Sequence, residues 1–66
     1  MNLNGLTPRE QQVARHIMVG RMDKVTAAEL KISPRTVQDF RRRIFAKFGC
    51  RNAVELVRVV HNITEV

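Results

Sequence analysis

Sixty-six residues allow one small domain with a thin core, since a chain this short buries only about 60% of the surface its unfolded form exposes. One cysteine, Cys50, excludes an internal disulfide, and two histidines without ligand spacing exclude a structural zinc, so packing alone must hold the fold and no metal or cofactor is expected. Twelve Lys and Arg against six Asp and Glu leave +6 at pH 7, a field suited to polyanionic partners, and no window nears the ~18 apolar residues of a membrane span. No charged-then-apolar leader opens the chain, and the expected setting is a reducing one, away from membranes.

"MNLNG" at the start is polar and turn-prone, so residues 1–6 read as a linker or tether ahead of a domain over 7–66. Leu3 and Leu6 are able to fold back on a core. "LTPREQQVARHIMVG" follows with Thr7 as N-cap, Pro8 at the first helical position and Glu10 placed to close a capping box. Val13, Ala14, Ile17 and Met18 share one helical arc and Gly20 suits a left-handed stop, which gives a first helix over 8–19. "DKVTAAEL" predicts a weak second helix over 23–30, with Asp23 suited to its positive end. Ser33-Pro34 is the clearest start signal, and the pattern runs unbroken to Gly49, so the third helix is 34–48. Asn52 with Glu55 repeats the capping-box logic, and Ala53, Leu56, Val57, Val60 and Ile63 form the apolar stripe of a fourth helix over 52–64. With no strand pattern and no repeat, the expected fold is all-α, a compact four-helix domain.

Only Lys31, Ile32 and Ser33 separate the second and third helices, and short helix, tight turn and longer helix is the plan of a helix-turn-helix. Advancing the third helix by ~100° per residue puts Val37, Phe40, Ile44 and Phe48 on one stripe, with Phe45 at its edge. The opposite face carries Arg35, Gln38, Asp39, Arg42 and Ala46. The run Arg41-Arg42-Arg43 therefore splits into three directions: Arg42 mid-face, Arg41 and Arg43 to either side. In the DNA major groove guanine accepts a bidentate Arg, adenine suits Gln and cytosine donates to Asp, so Arg42, Gln38 and Asp39 are the candidate base readers, with Arg35 joining from the first turn. Lys24, Ser33, Thr36, Arg41, Arg43 and Lys47 are the candidate phosphate contacts. The bland alternative is a solvated face on which Asp39 pairs with Arg43 or Arg35, and a second role for Asp39 is to orient Arg42. Ala27 permits close approach where the second and third helices cross. His16, His61 and Cys50 form no catalytic or ligand constellation, and no paired carboxylates or glycine-rich phosphate loop occur, so an enzyme is not expected.

"LTPREQQVARHIMVG", "ELKISPRTVQDFRRRIFAKFG" and "AVELVRVV" together resemble the LuxR-type helix-turn-helix domain of NarL/FixJ-type response regulators and quorum-sensing regulators, from Leu6 to about Ile63. The resemblance implies a four-helix bundle that binds double-stranded DNA at inverted or tandem sites in bacterial transcription regulation, within the cytoplasm at the nucleoid. It implies base contacts at Gln38, Asp39 and Arg42, and backbone contacts around Lys24, Ser33, Thr36, Arg41 and Lys47. It also implies a homodimer through the fourth helix, where Val54 lies outside the apolar arc and Val59 and Ile63 sit on its edge. A receiver or ligand-binding domain on the N-terminal side and RNA polymerase are further implied partners. The chain departs from the family pattern at Phe40, where His is usual, at Lys31, a turn position often Gly, Asp or Asn, and at Met22 and Thr26, usually a polar cap and an aliphatic residue. Phe40 is expected to deepen the core. The alternative function is a basic protein-interaction module docking an acidic partner such as polymerase or a receiver domain.

Overall fold

Local side chains decide where three of the four helices begin. The computed structural model describes residue 3 and residues 5–65, with side chains through His61. Its helices are α1 (Pro8–Met18), α2 (Asp23–Leu30), α3 (Pro34–Phe48) and α4 (Ala53–Glu65), and the described residues contain no strand. At α1 the capping box closes on both sides: Glu10 N–H donates to Thr7 Oγ1 at 3.2 Å and Thr7 N–H to Glu10 Oε1 at 2.9 Å. Ser33 Oγ accepts from Thr36 N–H at 3.1 Å, and Asn52 Oδ1 from Glu55 N–H at 2.9 Å. The Glu55 carboxylate overshoots the expected box, accepting from Arg51 N–H at 2.8 Å rather than from Asn52. Helix α2 starts at Met22 with no side-chain cap, leaving Asp23 in its first turn to complement the helix dipole. Helices α1 and α4 differ by a residue or so from the expected 8–19 and 52–64 because Val19 caps α1 and Asn52 caps α4 from outside.

Three helices end alike. Gly20, Lys31 and Gly49 adopt left-handed φ of 81°, 58° and 65°. The next N–H turns back in each case: Arg21 to His16 O at 3.1 Å, Ile32 to Ala27 O at 3.0 Å and Cys50 to Phe45 O at 3.0 Å. This shared stop gives three sharp corners, and the short helices pack around α3, which touches α1, α2 and α4 while α1 also meets α4.

The core is drawn from every element: Val13, Ala14 and Ile17 of α1, Ala27 of α2, Val37 and Ile44 of α3, Leu56 and Val60 of α4. Leu3 and Leu6 are buried with them, and Gln11 Nε2 fastens their segment by donating to Leu3 O at 3.2 Å and Leu6 O at 3.1 Å. These two leucines therefore belong to the folded unit rather than to a linker over 1–6, since a domain this small needs their apolar area. Phe40 and Phe48 line the edge of the core as their stripe requires, half-buried rather than sealed. Thr26 is buried in the place where an aliphatic side chain was the family expectation. Burial also pushes the Cys50 thiol pKa up, and the nearby Glu55 carboxylate adds to the rise, so the cysteine packs as a small hydrophobe.

On α4 the stripe is rotated slightly from its expected position. Val59 packs against the core, whereas Val57 is half-exposed and outside it. Val54 is 68% exposed. The side chain of Ile63 lies outside the described residues. No helix among the described residues is long and apolar enough to cross a membrane.

Candidate nucleic-acid interface

Helix α3 presents two chemically different sides because its sequence alternates them at helical spacing. Val37 and Ile44 are fully buried, and Arg35, Gln38, Asp39, Arg42 and Ala46 are all exposed on the other side. The four candidate base readers thus share one solvent-facing surface. Asp39 makes no ion pair among the described residues: the i,i+4 pairings to Arg35 or Arg43 are absent, and so is an orienting contact to Arg42. A free carboxylate amid arginines is left with its acceptor capacity unused.

The six candidate phosphate contacts divide into two groups. Lys24 and Arg43 are exposed and have no carboxylate partner among the described residues. Ser33 and Thr36 sit at the start of α3 with their hydroxyl oxygens 2.9 Å apart, beside the first-turn N–H groups that make a helix N-terminus attractive to anions. Arg41 and Lys47 are instead engaged inside the protein. The Arg41 guanidinium bonds Asp23 Oδ1 at 2.5 Å, both side chains being more than two-thirds buried, and lies 5.7 Å from the Phe45 ring centroid. Its Nε is buried without a hydrogen-bond partner. Lys47 Nζ reaches back to Glu10 Oε1 at 2.8 Å and Gly5 O at 3.3 Å. The Lys47 hydrogen bond and the Thr7 N–H hold the Glu10 carboxyl pKa below its ordinary value although Glu10 is buried.

Neither ion pair was anticipated from the chain. Glu10 and Lys47 are 37 residues apart, Asp23 and Arg41 18 residues apart, and no local pattern signals such contacts. A third contact set braces the corner after α1, where Arg21 bonds Glu29 at 2.7 Å and the His16 imidazole lies 3.6 Å from the same carboxylate. Between the first turns of α2 and α3 lies an open hollow of about 550 Å³ lined by Met22, Asp23, Lys24, Pro34, Gln38 and Arg41. It adjoins the outward face of α3 and gives a convex partner room to approach Lys24 and Gln38 together. Among the described residues no group of three or more His, Cys, Asp and Glu could hold a metal ion.

A short α2, a three-residue turn entered through left-handed Lys31 and a capped α3 with a polar outer face define a helix-turn-helix unit. The family model described as bacterial regulatory proteins, luxR family, matches residues 4–60. The chain belongs to that family. It is 44% identical over 61 residues to response regulator Rre1 of Synechocystis, covering 89% of this chain and 26% of that protein. It is 47% identical over 53 residues to the transcriptional regulatory protein UhpA of Escherichia coli (80% of this chain, 27% of that protein). To the transcriptional regulatory protein FixJ of Bradyrhizobium diazoefficiens it is 39% identical over 54 residues, 82% and 26% of the two chains. The chain therefore spans about a quarter of the length of these curated relatives. No solved structure matches it significantly.

Proposed function

We propose that this chain is the DNA-binding output domain of a bacterial transcription regulator, reading double-stranded DNA with α3 in the major groove. One observation carries the reading: Arg35, Gln38, Asp39 and Arg42 are exposed together on one face of α3 while its other face is buried. Those side chains supply donors and acceptors for base edges, Arg42 toward guanine, Gln38 toward adenine and Asp39 toward cytosine. Lys24, Arg43, Ser33 and Thr36 flank them and suit the two phosphate strands. Arg41 and Lys47 serve the fold first, so their share in phosphate binding is smaller than their charge suggests.

The exposed face of α4 around Val54 is the proposed dimer seam, which would set two α3 helices about one helical turn of DNA apart on an inverted repeat. A receiver or ligand-binding domain on the N-terminal side would control access to DNA, and RNA polymerase would be the downstream partner. The names of the relatives, response regulator and transcriptional regulatory protein, support this arrangement, as does their greater length.

Selection of binders from a random duplex library tests the reading, followed by titration of the chosen duplex over a range of salt. An enriched half-site and a log-log salt slope of about −0.9 for each phosphate neutralised are expected. Indifference to duplex sequence, with stronger binding to an acidic protein, would instead favour a protein-interaction module.

A further inference from the structure

The Arg43 guanidinium carbon stands 5.8 Å from the centroid of the Phe40 ring, three residues earlier on α3. The ring is not free to follow it. Phe40 is half-buried and packed against the core, so its outer face is a plate fixed to the domain. Arg43 is exposed and has no carboxylate partner among the described residues, in contrast to Arg41 and Lys47, which Asp23 and Glu10 hold. A guanidinium lying over an aromatic face uses its π surface for that contact. Its N–H donors lie in the guanidinium plane and stay open to bond phosphate oxygens in a bidentate fork. A flexible side chain restrained in this way loses less freedom when it binds, so the restraint favours binding without adding a contact to the ligand.

Resting on the DNA-binding reading above, we propose that Phe40 is a positioning residue whose ring holds Arg43 at the flank of α3, ready to grip one phosphate of the strand beside the groove. The residue therefore has two roles, closing the core on one side and aiming a cation on the other. A histidine at this site would present a smaller and titratable ring, and leucine would present none.

The test is a double-mutant cycle on the whole chain with the library-selected duplex, using Phe40→Leu, Phe40→Tyr, Arg43→Gln and the Phe40→Leu/Arg43→Gln pair. Arg43→Gln should make the salt slope shallower by about 0.9, the signature of one lost phosphate contact. Phe40→Leu should weaken binding several-fold when Arg43 is present and leave it nearly unchanged when Arg43 is already glutamine, and Phe40→Tyr should restore the wild-type affinity. Equal weakening by Phe40→Leu in both backgrounds would assign Phe40 a purely structural role and overturn the proposal. A measurement on the unmutated protein guards against variants that do not fold: the Arg43 δ-methylene protons should show an upfield ring-current shift by nuclear magnetic resonance, and random-coil shifts there would also overturn it. Failure of the wild-type chain to bind any duplex would remove the DNA-binding reading and this inference together, a result distinct from failure of the cycle alone.

Discussion

Replacing Lys31 by glycine should stabilise the domain, and the size of the effect follows from one backbone angle. Lys31 adopts φ 58° and ψ 44° at the end of α2, where an L side chain crowds the following carbonyl. That conformation costs a non-glycine residue about 1–2 kcal/mol, while glycine gives back about 0.5–1 kcal/mol through the greater freedom of the unfolded chain. The net gain for Lys31→Gly is therefore about 0.5–1 kcal/mol. Nothing else of note is lost: the side chain is exposed, makes no ion pair among the described residues, and the turn is held by main-chain bonds from Lys31 N–H to Ala28 O at 3.4 Å and Ile32 N–H to Ala27 O at 3.0 Å. Lys31→Ala is the control, since it removes the same charge and keeps the strain, and it should change stability by less than about 0.5 kcal/mol. Urea unfolding followed by circular dichroism measures both, and on heating the Gly variant should melt about 2–8 °C higher, from the 4–8 °C per kcal/mol usual for domains of this size. Equal stability of the Gly and Ala variants, at unchanged denaturant slope, would refute the reasoning, because the left-handed backbone is the one feature that separates them.

Four further outcomes are expected. Arg42→Ala should flatten discrimination at one base position by about 1–3 kcal/mol in a competition assay while weakly affecting random duplexes. Arg41→Met should lower stability by about 1–2 kcal/mol, between the values for exposed and buried ion pairs, yet leave the salt slope of duplex binding unchanged, as isothermal titration over several salt concentrations would register. Because the folded Glu10 carboxyl lies below its ordinary pKa, its contribution is complete above the unfolded value of about 4.3 and is lost as pH falls through the lower folded value; Glu10→Gln should flatten that acid limb in pH-dependent melting. Val54→Asp should reduce two-to-one assembly on an inverted repeat but spare binding to a single half-site, seen by analytical ultracentrifugation.

Features set by neighbours in the chain were legible in the sequence. Thr7, Ser33 and Asn52 cap the helices they were expected to cap, and the arc of Val37, Ile44 and Phe48 correctly turned Arg35, Gln38 and Arg42 outward. The polar run before Thr7 left it open whether Leu3 and Leu6 fold back, because their burial depends on a space between helices that no local pattern describes. Val57 and Val59 lie ~160° apart on opposite edges of the arc centred on Leu56 and Val60, so a small rotation of α4 brings one edge to the core and turns the other away. The ion pairs were hidden for the same reason as the leucines. Helical projection gives the direction of Arg41 and Lys47 from the α3 axis, but it cannot say that Asp23 and Glu10 wait there on other helices.

Those two pairs alter how the charge of α3 should be understood. Of its five cationic residues, Arg41 and Lys47 meet carboxylates within the domain, and Arg35, Arg42 and Arg43 do not. On the proposed DNA-binding reading a compensated cation releases few counterions, so the phosphate grip that acts alike on every sequence would be weaker than the five cations of α3 suggest. Base contacts would then form a larger part of the total, raising selectivity while lowering affinity at low salt. The same pairs link the fold to the proposed interface: Asp23 fixes α2 against the middle of α3 at Arg41, and Glu10 fixes α1 against its last turn at Lys47. Replacing Asp23 with asparagine would therefore act in two opposing ways. It would loosen the α2–α3 brace, lowering stability and base discrimination, while freeing the Arg41 guanidinium to approach phosphate and steepen the salt slope. Measured together, the three quantities separate a brace from a surface charge, because a cation merely near Asp23 would change the slope and leave stability and discrimination where they were.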